Sequence, residues 1–181
     1  MKGIVFREFI DFVEEALGED VADDMITDAN PSSGGAYTSV GKYDWQELVD
    51  MVVALSHITQ KPVPDLVASF GHHLFGRFSA LYPAFFEGQN DVFAFLESVE
   101  NHIHVEVKKL YPDAELPKLD TRPDGDGVLV IRYTSCRPFG DLCVGMIEGC
   151  AAHFNETVSI THTAHADGLD IRIVREQAAA A

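Results

Sequence analysis

Two histidines, His102 and His104, stand shortly before a proline in the stretch DVFAFLESVENHIHVEVKKLYPDAELPKL, residues 91–119. Val92, Phe95, Leu96, Val99, Ile103, Val107 and Leu110 recur there at three- and four-residue steps, which is one face of an α-helix. The spacing predicts a long helix over 91–111, stopped by Pro112 and followed by an extended connector through Pro117. His102 and His104 fall at opposite borders of the apolar face. An imidazole at such a border can turn a ring nitrogen into the core and ligate a metal, haem iron among them. It can equally be a surface or hydrogen-bonded core histidine, and periodicity does not choose between the two residues.

A second set is Tyr133, Ser135 and Arg137. Alternation in a strand would put all three on one face, giving two hydroxyl donors and a guanidinium fork. That set suits a pair of carboxylates, one of them gripped bidentately by Arg137. An ordinary strand end with a surface arginine is the plainer reading of the same residues. Cys136, Cys143 and Cys150 with His153 could supply a thiol nucleophile, but no nucleophile elbow surrounds them, and Cys143 and Cys150 read as helix packing.

The elements that must position these residues follow from pattern and punctuation. Helices are predicted over 2–17 and 19–28, then from Asp44 as N-cap, with Glu47 at the capping-box position, to Thr59. Another runs from Pro64 or Asp65 to Leu81, ended by Pro83. After the turn Pro123–Gly127, the β-branched run 128–133 is a strand; 142–154 returns to helix, with Gly145 and Gly149 spaced for close backbone approach. Residues 157–162 and 169–174 are strands joined at Asp167-Gly168. A helical half followed by strand–helix–strand–strand predicts an α+β fold on a small antiparallel sheet.

The chain has 181 residues, 46% of them hydrophobic, which is enough for one domain with a substantial core. A net charge of −16 argues against nucleic acid and anionic membranes, both of which need clustered cations. No apolar run approaches ~18 residues, so no spanning helix is expected. An N-terminus with acids among its apolars does not read as a signal peptide. Three cysteines without motif spacing suggest reduced thiols and a cytoplasmic location. Ala178–Ala181 reads as a disordered tail.

The run HVEVKKLYP from His104 to Pro112, followed by Leu116-Pro117, resembles the haem-ligand helix of the H-NOX family. These are haem nitric oxide/oxygen-binding domains, related to the sensor domain of soluble guanylate cyclase. The Y-x-S-x-R set Tyr133, Ser135 and Arg137 resembles the family signature that holds the haem propionates, and the likeness runs from Met1-Lys2-Gly3 to the last strand. The resemblance implies an H-NOX fold with haem b between two halves: a distal helical subdomain 1–64 and a proximal subdomain 65–177. It implies His104, rather than His102, as the axial ligand, and Pro117 pressing on the porphyrin. It also implies that Val5, Phe9, Leu74 and Leu142 line the gas pocket.

In oxygen-binding members a tyrosine stands seven residues beyond the signature serine; here that position is Leu142. Bound O2 carries partial negative charge and needs a hydrogen-bond donor, whereas NO needs much less help. The resemblance therefore implies NO and CO binding with little stable O2 binding, unless His72 or His73, near Leu74, enters the pocket. It further implies that NO releases His104, that the helix 91–111 and the Pro117 contact shift, and that the two halves rotate. The signal would pass to a histidine kinase or a diguanylate cyclase/phosphodiesterase, in a sensor that is not itself an enzyme. A haem-storage or haem-transfer role, or an O2-binding haem protein, is the alternative. Some members carry a cysteine-rich zinc site; here Gly140 and His165 replace two of its cysteines, so His162-x-x-His165 is not expected to hold zinc.

Overall fold

The computed structural model describes residues 1–176, so the tail 178–181 lies outside the described residues. Four helices open the chain: α1 (Gly3–Leu17), α2 (Glu19–Ala29), α3 (Trp45–Thr59) and α4 (Val63–Leu81). α1 ends at Gly18, whose φ of 98° a side chain would resist. Asp44 caps α3 by accepting from the Gln46 backbone N–H at 3.0 Å. Glu47 does not reach back to close the expected capping box. Its carboxylate instead accepts from Ser32, Ser33 and Tyr37 hydroxyls at 2.5, 2.7 and 2.8 Å. Three nearby donors outcompete one backbone N–H, and they fasten the 30–43 loop to α3.

A 3-10 turn (Pro83–Phe86) follows α4. The predicted long helix 91–111 is then built in three pieces. α5 (Val92–Ser98) starts at Asp91, whose side chain accepts from the Ala94 N–H at 3.0 Å. A π-helical turn (Val99–Ile103) widens the coil, and α6 (His104–Leu110) completes it. The His104 N–H donates to the Val99 carbonyl, a five-residue step. Such a π segment shifts the register by about one residue relative to a uniform α-helix, and it sits directly before His104.

The sheet contains β1 (Lys118–Pro123), β2 (Val128–Thr134), β3 (Val158–His165) and β4 (Gly168–Arg175), in the order β1-β2-β4-β3 and antiparallel throughout. β1 was not predicted: Lys118, Asp120 and Arg122 make it read as polar connector, and its pairing with β2 decides it. α7 (Gly140–His153) connects β2 to β3. It starts two residues earlier than its apolar pattern indicates. α7 lies hard against α4: a Cβ on Gly145 would fall on the Ala68 carbonyl, and one on Gly71 would fall on the Leu142 carbonyl. Gly149 meets His72 and Phe75 in the same way. Glycine is required on both helices because the backbones nearly touch.

Two apolar cores result. The first joins Phe6, Phe9, Met25, Leu48, Leu55 and Phe70 from α1–α4. The second joins Phe75, Phe95, Ile131, Ile147 and Ile171 from α4, α5, α7 and the sheet. α4 contributes to both, with Leu66, Val67, Phe70 and Leu74 in the former and Phe75 in the latter.

Candidate functional site

A cavity of about 540 Å³ opens at the seam of the two cores, within the range of roughly 300–1,000 Å³ typical of cofactor pockets. Its walls are apolar. α1 and α4 supply Val5, Leu74 and Phe78, α7 supplies Leu142 and Met146, and α5–α6 and the sheet supply Leu96, Ile103 and Ile131. Burial of such walls without a filling side chain forfeits dispersion contacts, so the space is matched to a large apolar group.

His104 is on this wall and His102 is exposed. The His104 side chain is 14% exposed, and Nδ1 lies 3.1 Å from Glu100 Oε2. A carboxylate only accepts, so Nδ1 carries the proton and the free lone pair is on Nε2. Burial pushes the imidazole below its ordinary pKa, while Glu100 opposes that shift. The ring is therefore neutral near pH 7, as a metal ligand must be. The same Glu100 oxygen accepts from the Leu119 N–H at 3.1 Å, tying the π turn to the start of β1. Sequence reasoning missed Glu100, although its position four residues before His104 on a helix was the available signal.

Tyr133, Ser135 and Arg137 all line the cavity, but not by strand alternation. β2 ends at Thr134, and the chain bends through 136–138 with the Arg137 N–H donating to Ser135 Oγ at 3.1 Å. Burial pushes the Tyr133 phenol up, with Ser135 opposing. The Arg137 side chain is 10% exposed and grips Glu115, donating from Nη1 to its carbonyl at 3.2 Å and from Nη2 to its carboxylate. Pro117, Val5, Leu74 and Leu142 are also on the wall. Phe9 is not. It is fully buried in the first core, edge-on to Phe70 with ring centroids 5.0 Å apart, one turn along α1 beyond Val5.

His72 is exposed, and His73 packs on Phe12 with ring centroids 5.1 Å apart; neither lines the cavity. The wall's phenols at Tyr82 and Tyr111 lie 3.3 Å apart and bond each other. Burial pushes Tyr82 up to about 12, so it stays protonated. Burial likewise raises the Cys143 thiol to about 12, which removes it as nucleophile or thiolate ligand. His162 is exposed, and His165 Nε2 pairs with Asp170 Oδ2 at 2.7 Å. Among the described residues, no three His, Cys, Asp or Glu side chains cluster as a metal site.

The donor set thus fits an iron porphyrin. One neutral imidazole stands in an apolar slot, and hydroxyls and a guanidinium at the rim suit its two carboxylates. The family model for haem-NO-binding domains matches residues 2–162. The chain belongs to the H-NOX family. These domains bind haem and serve in gas sensing as sensor rather than catalytic domains. The fold is similar to the H-NOX protein of K. algicida in its unliganded Fe(II) form, at 34% identity, TM-score 0.92 and 99% coverage of both chains. It is also similar to the H-NOX of Shewanella woodyi in the Fe(II)CO state, at 37% identity and TM-score 0.84, covering 100% of this chain and 97% of that one. The S. oneidensis H-NOX in the Fe(II)NO state is 26% identical at TM-score 0.90, covering 98% of this chain and 100% of that one. No curated protein sequence matches the chain.

Proposed function

We propose that the chain is an NO sensor that also binds CO and holds O2 poorly, with His104 as the axial ligand of its haem. The observation that carries this is the neutral His104, oriented by Glu100 on the wall of an apolar cavity. Haem held here by His104, Tyr133, Ser135 and Arg137 would supply a ferrous iron able to bind a diatomic gas. Val5, Leu74 and Leu142 offer an arriving gas no hydrogen-bond donor, which disfavours O2 more than NO. The phenols of Tyr82 and Tyr111 share a single hydrogen bond, which uses one of their two O–H donors. Binding of NO and CO agrees with the ligation states of the S. oneidensis and Shewanella woodyi proteins.

Release of His104 would free α6 at its weakest point. The π turn before it lacks regular α-helical bonding, and Glu100 links it to β1. α5–α6 and the connector carrying Pro117 would then move, and the distal subdomain 1–64 would rotate against the proximal subdomain 65–177. NO would bias this two-state element by favouring the arrangement in which His104 no longer holds the haem. The shift is read by a partner, a histidine kinase or a diguanylate cyclase/phosphodiesterase. A cytoplasmic location fits the free thiols of Cys136, Cys143 and Cys150.

The deciding experiment is the absorption spectrum of the reduced, haem-reconstituted protein alone and with CO, NO and air. A five-coordinate ferrous form that persists in air, shifts with CO and becomes five-coordinate with NO is expected. A stable spectrum of the oxygenated form would overturn the gas selectivity. His104→Ala should lose the ferrous histidine spectrum and regain it with added imidazole; retention without imidazole would remove His104 as ligand.

A further inference from the structure

The two edges of the sheet are built differently. β1, at one edge, carries Lys118, Asp120 and Arg122 at every second position, all exposed, and ends at Pro123. Its Leu119 N–H is taken by Glu100 Oε2 at 3.1 Å, so the π turn covers part of that edge. Charge, proline and a covering segment are the devices that keep an edge strand from pairing with another chain.

β3, at the other edge, is protected by neither charge nor proline. Its run VSITHTAH, Val158–His165, contains no Asp, Glu, Lys or Arg, whereas β1, β2 and β4 each contain at least one. From Thr161 to His165 every residue is exposed, so this part of the edge is open to solvent. Glu176 donates its N–H to the Thr157 carbonyl at 2.9 Å, which fixes the phase of the β3–β4 ladder. Alternation then turns the backbone groups of Ser159, Thr161 and Thr163 toward β4, and those of Val158, Ile160, His162 and Ala164 outward. The carboxylates nearest in sequence on either side, Glu156 and Asp167, are paired with Arg175 and Arg132. In a chain of net charge −16, most surfaces repel a second copy. Two β3 strands laid antiparallel set no two carboxylates, and no two Lys or Arg side chains, opposite each other. A partner of another kind would be selected by complementary charge, which this strand does not offer.

We infer that the β3 edge is where a second copy of this chain pairs, β3 against β3 about a twofold axis, joining the two four-stranded sheets into one. The axis passes near Thr161 and His162, the middle of the strand. Outward N–H groups of one copy then meet outward carbonyls of the other. A single strand pairing lies at the small end of specific interfaces, below roughly 1,200 Å², so the dimer forms and dissociates with concentration. No residue of β3 lines the cavity, so each copy keeps its own haem site, and dimerisation does not depend on which gas the haem binds.

The test is sedimentation velocity of the haem-loaded protein across a range of concentrations. The polypeptide mass should climb from 19.9 kDa toward twice that value between ~5 and ~500 μM, the span of a weak interface. Thr161→Glu faces Arg172 on β4, which suits the fold, and sets two carboxylates beside the twofold axis. It should raise the midpoint concentration by about fivefold. His162→Pro removes one outward N–H from each copy while leaving the β4 ladder its donors, and should raise the midpoint by about tenfold. Both variants should keep the wild-type haem spectrum, and Asp120→Ser, on the opposite edge, should leave the midpoint unchanged. A wild-type chain that stays monomeric throughout would overturn the inference and leave the edge to an extended segment of another protein. A dimer as strong in Thr161→Glu and His162→Pro as in wild type, or weakened as much by Asp120→Ser, would put the second copy on another surface and overturn it too.

Discussion

The centre of the core around Phe6, Phe9, Met25 and Phe70 is filled and meets the cavity of about 540 Å³ only at its edge, through Leu74 and Phe139, whereas the core around Phe95, Ile131 and Tyr133 lines much of it. Both are rich in phenylalanine and aliphatic residues. In the first, α1, α3 and α4 are regular helices whose apolar stripes meet, and ring pairs such as Phe9–Phe70 fill the centre. In the second, the helix is broken into α5, a π turn and α6, and the wall residues stop short of one another. Carboxylates show the same contrast. Glu47 is 7% exposed, satisfied by three hydroxyls, and serves to hold a loop. Glu100 spends its hydrogen bonds on His104 and the Leu119 backbone and serves to aim a ligand. One core is built to be rigid by itself, and the other is completed by a bound group.

That contrast can be broken at its strongest point first. Phe70→Ala should destabilise the first core by about 3–5 kcal/mol, read as a lower urea midpoint. A loss under ~1 kcal/mol would mean that the first core tolerates a void as the second does. Glu100→Ala should leave the urea midpoint of the haem-free protein close to wild type yet weaken haem retention by about tenfold, the range seen when a ligand's supporting partner is removed. The opposite pattern, lost stability and unchanged retention, would make Glu100 a structural latch like Glu47.

Glu47→Ala should cost about 1–2 kcal/mol, because it leaves Ser32, Ser33 and Tyr37 without their shared acceptor. Burial pushes the Glu47 pKa up, but the three hydroxyls outweigh it, so the carboxyl is held below its ordinary value. A depressed folded-state pKa contributes stability above the unfolded value of about 4.3 and loses it as pH falls through the folded value. The gap between wild type and Glu47→Ala in urea titrations should therefore be full at pH 6–7 and narrow below about pH 4. A gap that widens on acidification would mean the carboxyl is bound in its protonated form. Smallest of all, Asp44→Ala should cost about 1 kcal/mol through loss of the α3 cap, with no effect on haem retention.

Much of this was legible without coordinates, and what was not shares a cause. Residues 63–81 and 45–59 carry unambiguous helical stripes, and the caps, proline stops and β-branched runs gave boundaries within two residues for most elements. β1 escaped because its pairing partner, not its own composition, makes it a strand. Phe9 and Val5 sit one turn apart on α1 and look alike in sequence, but only Val5 lines the cavity. The π turn before His104 has no compositional signature at all, since VENHI differs in nothing obvious from its α-helical neighbours.

By itself the sequence determined the α+β class, the apolar faces of the helices, the close approach allowed by Gly145 and Gly149, and the two residue patterns that resemble the H-NOX family. These are local: they depend on side-chain period, backbone permissiveness and short spacings. Only the tertiary structure showed that Glu100 bonds Nδ1 of His104, the residue that the family resemblance already chose over His102. The same holds for the bend that turns Tyr133, Ser135 and Arg137 inward, and for Lys2, Lys42, Asp113 and Glu115 meeting at one rim. Those groups come from distant segments; Lys2 and Asp113, for example, are 111 residues apart. Their proximity is set by how the two cores pack, because charge pairing acts over a few ångströms in space and carries no period along the chain.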